Sequence, residues 1–217
     1  MLVTYYDASM SMESFIKLAN SNIPIVIFTD PSLVDKFIFP SVKVIGVSLS
    51  EFELYSIAIK YNRHLPDNST KENLSLINTK PEFIKKASEL VQDDTFIWID
   101  FEFLNRVKNA DRVINKLKVI NEMKFEKVRI PGCWGYGRPF IINSLNSRFH
   151  GYFFIVPRQC IDMFYSHSKN VLNDFCTLPK YRLTWETNVW YIVEFCAADH
   201  IIDWYFGEND DAVLNLC

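Results

Sequence analysis

Short runs of β-branched and aromatic residues alternate along this chain with polar stretches of helical period, and that alternation constrains the fold more than any single motif. Leu2 to Tyr6 reads as a strand, Met12 to Asn20 as a helix, and Ile23 to Thr29 as a second apolar strand closed by Asp30-Pro31-Ser32. Val42 to Val47 is a third strand, and Ser50 to Tyr61 puts Phe52, Leu54, Tyr55, Ile57, Ala58 and Ile59 on a mostly apolar helix. Arg63 to Asn73 is a polar break. Thr79 is a candidate N-cap, with Pro81 just inside and Glu82 three residues on as in a capping box, for a helix running through Val91. Phe96 to Asp100, Lys127 to Ile130, Tyr152 to Val156 and Ile201 to Tyr205 read as further strands. Asp111 to Met123, Gln159 to Leu172 and Thr187 to Cys196 have helical spacing. Strands alternating with helices in this way predict an α/β sandwich.

Composition removes several function classes. The chain has 217 residues, which suits a single core-forming domain. With 23 Lys plus Arg against 26 Asp plus Glu, its net charge of -3 gives no broad cationic field, so nucleic acid is not an expected partner. No window approaches the roughly 18 consecutive apolar residues of a bilayer span, so no membrane span is expected. The five cysteines are odd in number, irregularly spaced and without a CxxC, which fits reduced thiols and a cytoplasmic location. The chain ends at Asn215-Leu216-Cys217 without a polar tail, so the expectation is one domain cut from a longer polypeptide.

The sharpest local feature is Trp98-Ile99-Asp100-Phe101-Glu102. In an extended backbone residues two apart share a face, so Asp100 and Glu102 would present two carboxylates at a strand end while Phe101 points into the core. Such a pair can hold a divalent cation through hard oxygen ligands and leave the other positions to water and diphosphate. The same two acids can also do no more than solubilise the end of a buried strand. There is no GxxxxGK[ST] phosphate loop, no Gly-x-Ser-x-Gly and no Ser-His-Asp arrangement. Three of the six glycines fall in Pro131-Gly132-Cys133-Trp134-Gly135-Tyr136-Gly137.

Taken in order, Asn78-Thr79-Lys80-Pro81-Glu82-Phe83, then Phe96 to Glu102, then Pro131-Gly132-Cys133-Trp134-Gly135, then His150-Gly151-Tyr152-Phe153-Phe154, resemble the HtrL/YibB-like glycosyltransferase family. They also resemble the amino-terminal GT-A domain of a chlorovirus enzyme that glycosylates the major capsid protein. The resemblance implies a GT-A fold, the Rossmann-like fold of nucleotide-diphospho-sugar transferases, with a mixed, mostly parallel central sheet flanked by helices. It implies a transferase that moves a hexose or a deoxyhexose such as rhamnose from a UDP-sugar to a glycan or glycoprotein acceptor. The expected setting is viral capsid protein glycosylation in the host cytoplasm, by a monomer.

By the same resemblance Asp100 and Glu102 stand in a D-x-E version of the DxD motif that holds Mn2+ or Mg2+. Thr4, Tyr5, Tyr6, Thr29 and Asp30 border the nucleotide base, though strand packing explains the tyrosines equally well. Lys80 contacts donor phosphate or sugar, or is a solvated first-turn lysine; Asn78 binds donor hydroxyls, or caps a turn. Gly151 lets backbone approach the sugar. Glu186, in Thr184-Trp185-Glu186-Thr187-Asn188, is the candidate general base or oxocarbenium stabiliser, at a helix start that favours an anion in any case. Asp210 or Asn209 is a candidate third metal contact in Tyr205 to Asp211, where a solvated acidic turn is the alternative. His64, His150, His167 and His200 are read as structural. A catalytically silent nucleotide- or carbohydrate-binding domain on the same fold is the competing reading for the whole chain.

Overall fold

The computed structural model describes all residues except 67–68, 135–139, 145, 147, 197–199, 208–209, 211 and 217. Seven strands form one sheet: β1 (Leu2–Tyr6), β2 (Ile25–Thr29), β3 (Val42–Gly46), β4 (Thr95–Ile99), β5 (Val128–Gly132), β6 (Phe153–Pro157) and β7 (Ile202–Phe206). Their order across the sheet is β3-β2-β1-β4-β6-β5-β7. β6 runs antiparallel to both of its neighbours, β4 and β5, while the other pairings are parallel. This is the α/β architecture expected, a mixed and mostly parallel sheet flanked by helices.

Helices cover both faces, and the period of two along each strand sorts side chains between them. Val3, Tyr5, Phe96, Trp98, Phe154 and Val156 pack toward α2 (Glu53–Ile59), α3 (Lys71–Asn78), α4 (Lys80–Leu90), α6 (Ile161–Thr177) and α7 (Glu186–Cys196). Leu2, Tyr6, Ile97, Ile99, Phe153 and Ile155 pack toward α1 (Glu13–Ala19) and α5 (Ala110–Glu122). Both faces of the central strands are dry, which is why those strands read as continuous apolar runs rather than alternating ones. Among the described residues no helix is long and apolar enough to cross a membrane. The described cysteines Cys133, Cys160, Cys176 and Cys196 form no disulfide with one another.

Three local expectations are corrected. The polar break over 63–73 contains the start of α3, whose N-cap Thr70 accepts from the Asn73 amide; few apolar residues mark it because one short face of the helix is enough to bury Leu74. The capping box at Thr79 does not form. Thr79 is helical and its hydroxyl donates to Ser75 O at 2.8 Å, while the Glu82 carboxylate reaches away to accept from the Glu53 and Leu54 amides at the start of α2. Burial, working against those two bonds, holds the Glu82 carboxyl above its ordinary range. Finally, β4 stops at Ile99, so Asp100 lies in the turn beyond the strand. Of the glycine-rich segment, β5 takes the residues through Gly132, and 135–139 lie outside the described residues.

A buried ion pair fastens β6 and its approach to α7. Arg148 donates to Glu194 through Nη2 at 2.6 Å and Nε at 3.1 Å, with its guanidinium 4.4 Å from the Trp204 ring centroid. Neither side chain reaches water. Glu194→Ala should therefore cost about 3–5 kcal/mol in urea unfolding, because it removes the carboxylate paired with a buried guanidinium.

Candidate functional site

Strand order reverses at β1, with β2 and β3 to one side and β4 and the rest to the other. In open α/β sheets such a switch point opens a crevice at the carboxyl ends of the strands, since the flanking connections leave in opposite directions. Here β1 pairs with β2 through all five residues but with β4 only at Leu2–Ile97 and Val3–Trp98. Beyond that pairing lies a cleft of about 610 Å³ lined by Tyr5, Lys80, Trp98, Asp100, Glu102, Gly151 and Glu186, among others. Sequence-predicted residues from five separated segments thus meet in one place.

Lys80 is its centre. Its Nζ donates to Gly151 O and to Glu186 Oε1 at 2.8 Å each, and pairs with Asp100 Oδ1 at 3.0 Å. Lys80 is the first residue of α4, where the helix dipole disfavours a cation; two carboxylates offset that cost. Burial opposes the charged ammonium, but Asp100 and Glu186 outweigh it and raise the Lys80 pKa above its ordinary value. Glu186, in the first turn of α7 and 4% exposed, is pushed up by burial against the pull of Lys80.

Asp100 Oδ1 also accepts from the Trp98 indole at 2.8 Å, and Glu102 Oε1 accepts from the Ser11 amide at 3.0 Å. The two acids reach the cleft from a turn rather than an extended strand; Glu102 has φ -95° and ψ 17°. Phe101 between them is buried against Tyr6 and Phe15, on the core side as expected. Asp210 does not line the cleft. It sits at the Tyr152 hydroxyl, whose ionisation burial and then Asp210 push up, and Asn209 lies outside the described residues. Among the described residues no group of three His, Cys, Asp or Glu side chains gathers for a metal.

The remaining candidates divide by strand face. Tyr5 lines the cleft on the Phe83 ring, its phenol pushed up to about 12 by burial and then by Asp7 and Asp30. Thr4 and Tyr6 point to the opposite face of the sheet, where the Thr4 hydroxyl has no hydrogen-bond partner among the described residues and Tyr6 packs on Phe37 and Phe101. The Thr29 hydroxyl donates to Tyr6 O, and Asp30 caps the turn after β2 by accepting from Ser32. Asn78 donates to Leu74 O and Thr184 O, tying α3 to the segment before α7.

Other lining residues carried little signal in the sequence. Asn73, Leu76 and Ile77 come from the helix hidden in the polar stretch, and Arg106 from an irregular segment, its guanidinium 5.3 Å from the Tyr152 ring centroid. Trp185 and Thr187 flank Glu186, and that adjacency was the available clue. His150 also lines the cleft, but its ring is fully engaged. Nε2 donates to Gly207 O at 2.5 Å, with Cys133 Sγ 3.1 Å away, and Nδ1 lies 3.0 Å from the Tyr152 hydroxyl. Burial outweighs Gly207 and Asp210 and lowers its pKa, so it stays neutral near pH 7.

No protein-family model and no curated protein matches the chain. Solved structures do resemble it. A glycosyltransferase involved in the glycosylation of the major capsid of PBCV-1 aligns at 11% identity and TM-score 0.44, over 94% of this chain and 80% of that one. The bifunctional IspDF of Campylobacter jejuni aligns at 14% and 0.40, over 96% and 50%. The apo-form glycosyltransferase GlyE of Streptococcus pneumoniae TIGR4 aligns at 10% and 0.42, over 94% and 44%. At these identities and scores the likenesses decide nothing about the chemistry of the cleft.

Gly151 is where backbone meets this cluster most tightly. A Cβ there would lie 2.1 Å from Glu186 Oε1 and 2.8 Å from its Cδ. Gly151→Ala should displace Glu186 from Lys80 and cost roughly 1–3 kcal/mol as an overpacked site, read by denaturant unfolding. Lys80 sets an alkaline limit. Because its folded pKa lies above the unfolded 10.5, its contribution is complete below that pH and disappears as pH rises through the folded value. The melting temperature of the wild type should fall more steeply above pH 10.5 than that of Lys80→Met.

Proposed function

We propose that the chain is a metal-dependent GT-A glycosyltransferase that moves a hexose, or a deoxyhexose such as rhamnose, from a UDP-sugar to a glycan hydroxyl. The observation that carries the reading is the convergence of Asp100, Glu102, Glu186 and Lys80 on a cleft at the switch point of the sheet. The HtrL/YibB-like motifs belong to this proposal, as do a protein-linked glycan such as that of a viral capsid for the acceptor and the host cytoplasm for the setting.

Charge supports a cation. Among the described residues, Lys80 and Arg106 stand against Asp100, Glu102 and Glu186 in the lining, two positive groups against three acids. A diphosphate entering such a cleft meets no surplus of positive charge, and a divalent ion is the economical remedy. Asp100 and Glu102 would hold it through the carboxylate oxygens that Lys80, Trp98 and Ser11 leave over, with water and diphosphate completing the shell. That ion, Mn2+ or Mg2+, would offset charge on the departing UDP. Tyr5 would border the base at the end of β1, Lys80 orients Asp100 and Glu186, and Trp98 fixes Asp100 from the other side. The acceptor hydroxyl attacks the anomeric carbon as the bond to UDP breaks. Glu186, held above the ordinary carboxyl range, is suited to take the hydroxyl proton once its bond to Lys80 loosens.

One observation favours the silent-domain alternative. Lys80 engages both Asp100 and Glu186, an arrangement that also serves binding without turnover. Calorimetric titration of UDP with and without Mn2+ into wild type and Asp100→Ala separates the two. The transferase reading expects Mn2+-dependent UDP binding that weakens about tenfold or more in the variant while its circular dichroism is unchanged. Binding indifferent to metal and mutation favours the silent domain, and no binding of UDP overturns the transferase and any nucleotide-binding reading.

A further inference from the structure

Three oxygens enclose Lys80 Nζ, namely Gly151 O and Glu186 Oε1 at 2.8 Å and Asp100 Oδ1 at 3.0 Å. They come from the turn before β6, the first turn of α7 and the turn after β4, and the lysine side chain that joins them is 6% exposed. Two carboxylates and a carbonyl are hard donors, the kind that hold Ca2+ or Mn2+. Ca2+ takes six to eight oxygens at roughly 2.3–2.6 Å, so these three, contracted by a few tenths of an ångström, would supply part of its shell and water the rest once the ammonium is gone. Mg2+ requires about 2.0–2.1 Å and near-octahedral geometry, a larger rearrangement of three backbone segments.

Resting on the reading of Asp100 as a metal ligand, we propose that Lys80 is the resident cation of this cage and the residue that excludes a divalent ion from it. Metal in the cleft is thereby confined to the edge that Asp100 shares with Glu102. A tethered ammonium gives up no translational freedom on binding, an advantage that a free ion lacks. A second cation in the same cage would meet the ammonium at about hydrogen-bonding range, where like charges repel strongly in a partly dry site. Removing the ammonium reverses the balance, because it leaves two carboxylates facing each other without a counter-charge. Lys80 thus acts as a positioning residue: it decides which oxygens of Asp100 a metal can reach.

The test titrates Ca2+, Mn2+ and Mg2+ calorimetrically into wild type, Lys80→Met and Lys80→Gln, and into each variant combined with Glu186→Gln. Both single variants should bind Ca2+ and Mn2+ about tenfold or more tightly than wild type, with Mg2+ gaining least, and Glu186→Gln should abolish the gain. Lys80→Gln retains N–H donors for the same oxygens, so the cage stays assembled if Lys80→Met does not fold. Affinity unchanged from wild type in folded Lys80→Gln, or a gain that survives Glu186→Gln, overturns the inference. A wild type that binds no divalent ion, beside variants that do, sustains the inference and removes the metal from the proposed mechanism.

Discussion

A single buried ammonium holds the cleft together. Lys80 stands at the positive end of α4, in a nearly dry position, and is stable there only because Asp100 and Glu186 are brought to it. Those acids lie 20 and 106 residues after it in the chain. One charge therefore fixes the turn after β4, the first turn of α7 and, through Gly151 O, the approach to β6. A lysine that served only to solvate a helix start would make none of these bonds.

The sheet explains why the acids meet there. With β1 at the switch point, the turns after β1 and β4 diverge and leave room between them. The antiparallel β6 brings its preceding turn, with Gly151, to the same end of the sheet as the exit of β4. The tight fit at Gly151 lets the Lys80 ammonium bond backbone and carboxylate at once. Helix α7 then enters with its N-terminus toward the cleft, so Glu186 gains from the dipole even though burial opposes its charge.

The functional proposal depends on that electrostatic arrangement more than on the fold. An α/β sheet with a crevice at its switch point hosts many chemistries, and a cleft with more acids than cations is suited to a ligand that arrives with a metal. Lys80 and Trp98 both take Asp100 Oδ1, which leaves the rest of that carboxylate and the edge toward Glu102 as the open side. The His150, Tyr152 and Cys133 group beside it is bonded internally and to Gly207, a wall of the cleft rather than a second centre of reaction.

Much of this was legible in the sequence because it rests on local rules. Apolar runs bounded by turn residues located all seven strands to within a few residues, and Asp100 and Glu102 stood out as acids at the end of a buried strand, while Lys80 and Glu186 were nominated by the family resemblance. Helix α3 was hidden because a short helix with one small buried face leaves a weak periodic signal. The capping box at Thr79 satisfied a local pattern, but Glu82 found better-placed amides at the start of α2, a long-range choice that no spacing encodes. Strand alternation likewise sent Thr4 and Tyr6 away from the cleft and Tyr5 into it, which depends on which face each helix covers. The sequence by itself determined the alternation of elements and the acids at their ends, since periodicity and burial are local properties of the chain. Only the tertiary structure decided that Lys80 would bind Asp100 and Glu186 together, because an ion pair across 106 residues exists only after the sheet order and the packing of α4 and α7 have set the distance.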